Sequence, residues 1–132
     1  MSRENVEAAK RYFDAFNAHG LEGTRHLRHP AWELEDPAQL PDAGTHAGEE
    51  AARTRVESFL ELGWDGRFHV QEYIDADEEV VVVWQMRGRS ALGDVPWEQT
   101  FAFVCAFEHG MLRRVRQYTN LREALEAGAM RG

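Results

Sequence analysis

Asp36 is the residue of this sequence whose type and position best suit proton-transfer chemistry. The segment before it alternates apolar Trp32 and Leu34 with glutamates, the pattern of a β-strand, and Asp36 falls on the apolar phase. Its side chain should therefore point to the apolar side of the strand. A carboxylate on an apolar wall is desolvated, which makes it a better general base. The alternative is a strand-end carboxylate that caps the turn at Pro37.

Tyr12 is the second candidate, as a hydrogen-bond donor. It lies beside the apolar face of a predicted first helix, which is formed by Val6, Ala9, Phe13 and Phe16. A buried phenol can donate to the oxyanion that forms when a ketone enolises. The alternative, commoner for a tyrosine beside an apolar stripe, is a buried ring whose hydroxyl bonds inside the core.

Three further polar residues are candidates for the same site. Arg55 shares a helix face with Phe59, so it could bind a substrate carboxylate, pair with Asp36 or extend to solvent. Pairing with Asp36 would weaken the interpretation of that carboxylate as a base. Gln117 could place a polar group inside the fold or serve as an ordinary strand residue. His46 lies in a loop, where histidine can act as an acid or base near neutral pH or remain solvated.

The aromatic residues of the later strands have two alternative roles. In the predicted strand Trp97–Phe107 the odd positions carry nearly all of the bulk, so one face is aromatic. Such a face fills a core under a helix, or it lines a pocket that contains a few polar groups. The residues predicted to line a pocket, besides Arg55 and Gln117, are Phe16, Phe59, Trp84, Met86, Trp97, Phe101 and Phe103.

The elements that must position these residues follow from periodicity and from Gly and Pro breaks. Helices are predicted from Ser2, a plausible N-cap, to His19, then over 22–29, 48–62 and 121–127, and strands over 31–36, 68–75, 80–89, 97–107 and 111–119. Residues 37–47 are predicted to form a rim loop, and Gly93-Asp94 a turn. The order predicts an α+β fold with helices packed into one curved sheet. Val80–Trp84 is nearly all apolar, so a helix should cover one face and a second subunit could cover the other.

Composition limits the class of protein. A chain of 132 residues, 43% hydrophobic and 29% charged, is expected to form one globular domain spanning 1–132. The net charge of −8 disfavours nucleic acid and anionic membranes as partners. No apolar run is long enough to span a membrane, and residues 1–5 lack the apolar core of a signal peptide. With a single cysteine as well, a cytoplasmic location is expected. His26 and His29 lack a third ligand, so no metal is expected.

Four segments together resemble the nuclear-transport-factor-2-like (SnoaL-like) superfamily. They are residues 11–20 (RYFDAFNAHG), 34–37 (LEDP), 48–52 (GEEAA) and 117–125, in which QYTN and EAL carry the likeness. The resemblance covers the chain from Val6 to about Ala127. It implies a cone-shaped, cystatin-like α+β fold, in which a bent antiparallel or mixed sheet wraps around about three helices and is open at one end. It also implies a homodimer through the convex face of the sheet.

Within the superfamily, the chain is similar to the ketosteroid isomerases at Tyr12 and Asp36. This resemblance implies that Asp36 is the general base and that Tyr12 donates to the oxyanion, whereas Phe103 stands where those enzymes carry a second donor. The sequence therefore predicts a cofactor-free enzyme of isomerase, cyclase or dehydratase type that acts on a small hydrophobic carbonyl compound. The alternative is a non-catalytic module whose pocket holds a ligand or is filled.

Overall fold

A computed structural model describes residues 2–36, 44–90, 92 and 94–131 of the chain. Within these residues there are three α-helices, one 3₁₀ helix and six β-strands. In chain order they are α1 (Ser2–His19), the 3₁₀ helix (Glu22–Leu27), β1 (Arg28–Glu35), β2 (Thr45–Ala47), α2 (Gly48–Glu61), β3 (His69–Ala76), β4 (Glu79–Arg89), β5 (Pro96–Glu108), β6 (Met111–Tyr118) and α3 (Leu121–Arg131). None of these helices is both long and apolar enough to cross a membrane.

The strands form one curved sheet in the order β2-β1-β6-β5-β4-β3. All neighbours are antiparallel except β1 and β6, which run parallel, so the sheet is mixed. Val80 pairs with Cys105, and Cys105 pairs with Val115, which fixes the inner face across three central strands. The predicted α+β class and the predicted curved antiparallel or mixed sheet are confirmed.

Helices α1 and α2 lie against the inner face of the sheet and bury the main core between them. Ala9 and Phe13 of α1 are almost inaccessible to solvent, as the apolar spacing of that helix predicted. Gly20, with φ of +73°, ends α1 in the left-handed conformation that glycine adopts without strain. The side chains on the inner face of the sheet therefore pack against α1 and α2.

The opposite face of the central strands is covered by the chain's own α3. Val81, Val83 and Val104 are buried there, and they pack in one cluster with Ala124 of α3. Both faces of the apolar strand are thus covered within one chain, as the composition of Val80–Trp84 predicted. Because α3 covers Val81, Val83 and Val104, this part of the sheet needs no second subunit to bury it.

The predicted elements differ from the structure at the turn before the first strand and in the loop after it. The segment predicted as a second helix over 22–29 is a 3₁₀ helix that ends at Leu27, and β1 begins at Arg28. Pro30 lies inside β1, at a point where the pairing with β6 shifts register between Arg28 and Glu33. Proline has no backbone N–H to donate, and the irregular pairing there tolerates its absence. The short strand β2 falls within the predicted rim loop. Pro37, most of that loop, Gly93 and the side chain of Ser2 lie outside the described residues.

Candidate functional site

Three charged or titratable side chains meet where β1 ends. Arg55 of α2 donates from Nη2 to Oδ2 of Asp36, and Nε2 of His46 lies 3.1 Å from the same oxygen. The Asp36 side chain is only 4% exposed, against 24% for Arg55 and 38% for His46. The carboxylate is therefore buried beneath a guanidinium and an imidazole, and this group is called the rim cluster below.

The connection from β2 into α2 explains why these residues meet. Glu35 pairs with Thr45 in the antiparallel β1–β2 ladder, so His46 lies close to the end of β1. The backbone N–H of Asp36 donates to the carbonyl of Gly44 at 3.1 Å, which fixes the carboxylate against the same connection. Helix α2 begins directly after β2, at Gly48. Arg55 lies two turns into α2 and reaches back to the strand end.

Hydrogen-bonding rules assign the protons of the rim cluster. An ionised carboxylate only accepts hydrogen bonds, so His46 must carry a proton on Nε2 to bond to Asp36. In the neutral tautomer that carries this proton, Nδ1 is an acceptor, and no described residue bonds to that atom. The other carboxylate oxygen, Oδ1 of Asp36, is buried without a hydrogen-bond partner among the residues that the structure describes. Oδ1 of Asp36 and, in this tautomer, Nδ1 of His46 are therefore acceptor atoms without a partner among the described residues.

An open cleft of about 650 Å³ borders the rim cluster. It runs along α2, and its described lining is Asp36, His46, Ala47, Glu50, Ala51, Thr54, Arg55, Ser58, Phe59 and Leu62. A cleft of this size falls in the range that holds small organic ligands. The Arg55 guanidinium also lies 5.7 Å from the Phe59 ring centroid, a cation–π distance that helps to hold it in place.

A smaller inner cavity of about 90 Å³ lies behind Arg55, which lines both spaces. Its walls are almost entirely apolar. The described lining is Tyr12, Phe13, Phe16, Leu21, Arg28, Trp32, Leu34, Ala52, Arg55, Val56, Phe68, Phe103, Leu112 and Val115. Arg55 thus separates the open cleft from the small apolar cavity, while Asp36 and His46 line the cleft alone.

The hydroxyl of Tyr12 is bonded to a buried arginine that the sequence analysis did not single out. Arg28 donates from Nη1 to Tyr12 at 3.2 Å and to the hydroxyl of Thr24. Its Nε and Nη2 bind the carboxylate of Glu49 at 2.9 and 2.6 Å, and Nη2 also reaches the carbonyl of Leu21 at 3.4 Å. All five donors of Arg28 are used, so this guanidinium holds other groups in place and has none left for a ligand.

Titration in this network follows burial and charge. Burial raises the pKa of Tyr12 above its ordinary value, although the Arg28 charge opposes that shift. Hydrogen bonds from Arg28 lower the pKa of Glu49. Burial alone would lower the pKa of Arg28, but its bonds to Glu49 and Tyr12 outweigh burial and raise that pKa. The network therefore keeps Tyr12 protonated and holds Arg28 and Glu49 as an ion pair.

The structure separates the predicted pocket residues into two groups. Phe16 and Phe103 line the inner cavity, Phe59 lines the cleft, and Arg55 lines both. The others do not line either space and pack in the core around them: Trp84, Met86, Trp97, Phe101 and Gln117. Gln117 is buried on the inner face, where it pairs with Phe103.

Tyr12 and Asp36, the predicted catalytic pair, belong to two separate hydrogen-bond groups. Tyr12 bonds to Arg28, while Asp36 bonds to Arg55 and His46. Pairing of Arg55 with Asp36 was one of the alternatives in the sequence, and it is the one that counts against Asp36 as a simple base. Within the described residues, no group of three or more His, Cys, Asp or Glu side chains could hold a metal ion.

Aromatic packing fills most of the space inside the sheet. Phe68 lies at the centre, with its ring centroid 4.5 Å from Trp84 and 5.0 Å from Phe13. Trp84 and Phe103 are 5.2 Å apart, and both are almost fully buried. These contacts explain why the inner cavity is small although the wall residues are large.

Comparison with known proteins places the chain among small α+β proteins of one fold. A family model for the SnoaL-like domain matches residues 9–115. An NTF2-like protein from Burkholderia thailandensis E264 superposes with a TM-score of 0.72, at 24% sequence identity and with 96% of each chain covered. No curated protein matches the sequence.

Two further solved structures have the same fold. TerC, co-crystallised with polyporic acid, has a TM-score of 0.71 and 20% identity, with 93% of this chain and 98% of that chain covered. A candidate SnoaL-like polyketide cyclase from Jannaschia sp. CCS1 has a TM-score of 0.68 and 19% identity, with 96% of this chain and 92% of that chain covered. At these sequence identities the similarity establishes the fold alone. Any chemical activity has to be argued from the residues of the site.

Proposed function

The chain belongs to the SnoaL-like domain family, and from that premise we propose that it binds a small hydrophobic carbonyl compound and transfers a proton on it without a cofactor. The reaction would be of isomerase, cyclase or dehydratase type. The ligand would lie in the cleft and extend past Arg55 into the inner cavity. TerC bound to polyporic acid supports small-molecule binding by this fold.

The observation that carries this proposal is the position of Asp36. It is a buried carboxylate on the wall of the open cleft, and its partner Arg55 also lines the apolar cavity. One carboxylate oxygen is bonded and the other is unbonded within the described residues. Burial of a charged group is costly unless it is compensated, and titratable residues in such positions concentrate at functional sites. A purely structural strand-end carboxylate would more simply face solvent.

We assign the proton transfer to the Asp36–His46 pair, with His46 as the acceptor. Arg55 stabilises the negative charge on Asp36, which suits a carboxylate that orients a histidine better than one that must take up a proton. In the neutral tautomer of His46 that donates from Nε2, Nδ1 has no described partner and would remove a proton from the carbon beside the carbonyl. The C–H electron pair then moves into the enolate, and His46 returns the proton at a second position.

Tyr12 remains the proposed donor to the developing oxyanion. Arg28 already donates to the Tyr12 oxygen, so the phenol proton is not used in that bond; the Thr24 hydroxyl also bonds to Tyr12, and a carbonyl ligand would take its place as acceptor. The raised pKa of Tyr12 keeps that proton in place. Because Tyr12 lines the inner cavity, a carbonyl group in that space would receive it.

Ligand binding tests the first half of the proposal. Phenol, as an enolate mimic, and cyclopentanone are titrated against the wild-type protein and Asp36→Asn, with melting temperature as the readout. The matched control is Asp14→Asn, which changes an exposed aspartate on α1. The proposal expects a concentration-dependent shift that Asp36→Asn alters and Asp14→Asn preserves. If neither compound shifts the wild-type protein, the proposal is refuted.

A second candidate function is a non-catalytic ligand-binding module. It is favoured by the filled interior, where Phe68, Trp84 and Phe103 leave an inner cavity of only about 90 Å³. Binding of cyclopentanone without exchange of its α-hydrogens for deuterium in D₂O would support the module against the enzyme. A homodimer through the convex face is part of either proposal, and sedimentation velocity over a range of concentrations tests it.

A further inference from the structure

We propose that the indole N–H of Trp32 is a second hydrogen-bond donor to the ligand's carbonyl oxygen. This inference rests on the proposed function, because it identifies the group that holds the carbonyl in the inner cavity. Trp32 is 5% exposed and lines that cavity. Its Nε1 is buried without an acceptor among the residues that the structure describes.

An unbonded buried N–H requires an explanation, because burial removes its bond to water. The same core contains an indole that is satisfied in the ordinary way, since Nε1 of Trp64 donates to the carbonyl of Arg67 at 3.1 Å. Trp84 also has an unbonded Nε1, but it does not line either cavity. Trp32 is the described residue that combines an unbonded indole N–H with a position on a cavity wall.

The strand that carries Trp32 also carries the rim cluster's carboxylate. Trp32, Leu34 and Asp36 alternate along β1 and its end, so their side chains share one face. This face therefore carries the Trp32 hydrogen-bond donor and the apolar Leu34 at the inner cavity, and the Asp36 carboxylate acceptor at the cleft. A molecule with a carbonyl oxygen at its buried end and an exchangeable hydrogen nearer the cleft matches that order.

The inner cavity limits the group that reaches Trp32. A volume of about 90 Å³ is smaller than the roughly 150 Å³ cavity that takes up benzene in an engineered protein. Only a short carbonyl-bearing end of the ligand therefore enters this cavity, and the rest of the molecule would lie in the cleft. Cyclopentanone is a suitable probe, and methylenecyclopentane, which has the same shape without the oxygen, is its control.

The test observes the four tryptophan indole N–H signals by ¹H–¹⁵N NMR during titration with each probe. The Trp32 signal is assigned from Trp32→Phe or, if that variant does not fold, from phenylalanine variants of the other three tryptophans. A hydrogen bond to the ketone should move the Trp32 signal downfield with cyclopentanone and not with methylenecyclopentane. An unmoved Trp32 signal, or equal movement with both probes, overturns the inference.

Affinity gives a second readout that a merely structural role would not change. Trp32→Phe should weaken cyclopentanone binding about fivefold to tenfold, the value of one net hydrogen bond, and leave methylenecyclopentane binding unchanged. Trp84→Phe removes an unbonded indole outside the cavity and should leave the ratio of the two affinities as in wild type. An unchanged ratio in Trp32→Phe overturns the inference.

The inference and the proposed function fail in different ways. If cyclopentanone moves the Trp32 signal but none of its α-hydrogens exchange for deuterium, proton transfer is refuted and the role of Trp32 stands. If the hydrogens exchange but the Trp32 signal does not respond, the role of Trp32 is refuted and proton transfer stands. Failure of cyclopentanone to bind the wild-type protein refutes both.

Discussion

Replacement of Arg28 by methionine tests whether the buried network around Tyr12 determines stability. The Arg28 side chain is 2% exposed, and it bonds to Glu49, Tyr12, Thr24 and the carbonyl of Leu21. Methionine has a similar length and no charge, so the variant removes the guanidinium while it keeps most of the packing. The free energy of unfolding is the quantity of interest.

The expected loss follows from what each partner does afterwards. Glu49 is 40% exposed and can return to water. The Thr24 hydroxyl still donates to the carbonyl of Leu21 at 2.7 Å. Tyr12 is buried and loses the bond from Arg28. Breaking a buried ion pair costs about 3–5 kcal/mol, and rehydration of Glu49 places this case near the lower end, at about 3 kcal/mol.

Urea denaturation followed by circular dichroism measures this change, with the slope m compared between variants. The matched control is Arg53→Met, because Arg53 is 57% exposed and forms its ion pair with the exposed Glu50 on the same helix. That variant should lose less than about 1 kcal/mol. A loss below about 1 kcal/mol for Arg28→Met, or one equal to that of the control, would refute the structural reasoning.

Three other predictions concern the same network and the core. Because Arg28 lowers the pKa of Glu49 below its ordinary 4.5, the pair's contribution to stability is present above that pH and is lost as pH falls through the folded-state pKa. Melting temperatures from pH 6 downward should therefore fall less steeply in Glu49→Gln than in wild type, and equal slopes would contradict this. Gly88→Ala would place a Cβ against the carbonyl of Gly63 and the ring of Trp97, so urea denaturation should show a loss of about 1–3 kcal/mol; unchanged stability would contradict that contact. Phe68→Ala removes the central ring of the aromatic cluster and should cost about 3 kcal/mol by the same method; a loss under about 1 kcal/mol would show that the ring is not central.

The parts of the fold that the sequence predicts are those with long periodic patterns. The apolar spacing of α1 and the alternation in β5 extend over several turns or residue pairs, so their boundaries agree with the structure to within about two residues. The strand β2 has three residues, Thr45–Ala47, too few for a period to appear. The 3₁₀ helix lacks the 3.6-residue period, which explains why its end was placed too late.

In the site, too, features that depend on neighbouring residues could be predicted, whereas contacts between distant segments could not. Burial of Asp36 follows from its phase behind Trp32 and Leu34, which is local. Its pairing with Arg55 could be listed among alternatives but not chosen, since the partner lies 19 positions away in another element. Arg28 was missed because its partners come from separate segments of the chain, and only the folded chain brings them together.

The proposed function requires the Asp36–His46 pair to transfer a proton on a bound carbonyl compound. Its most direct test is the rate at which cyclopentanone α-hydrogens exchange for deuterium in D₂O, followed by NMR with wild type, Asp36→Asn and His46→Gln. Wild type should exchange these hydrogens faster than buffer alone, and each variant should lose about 100-fold or more of that rate. Exchange at the buffer rate in wild type, or at the wild-type rate in His46→Gln, would contradict it.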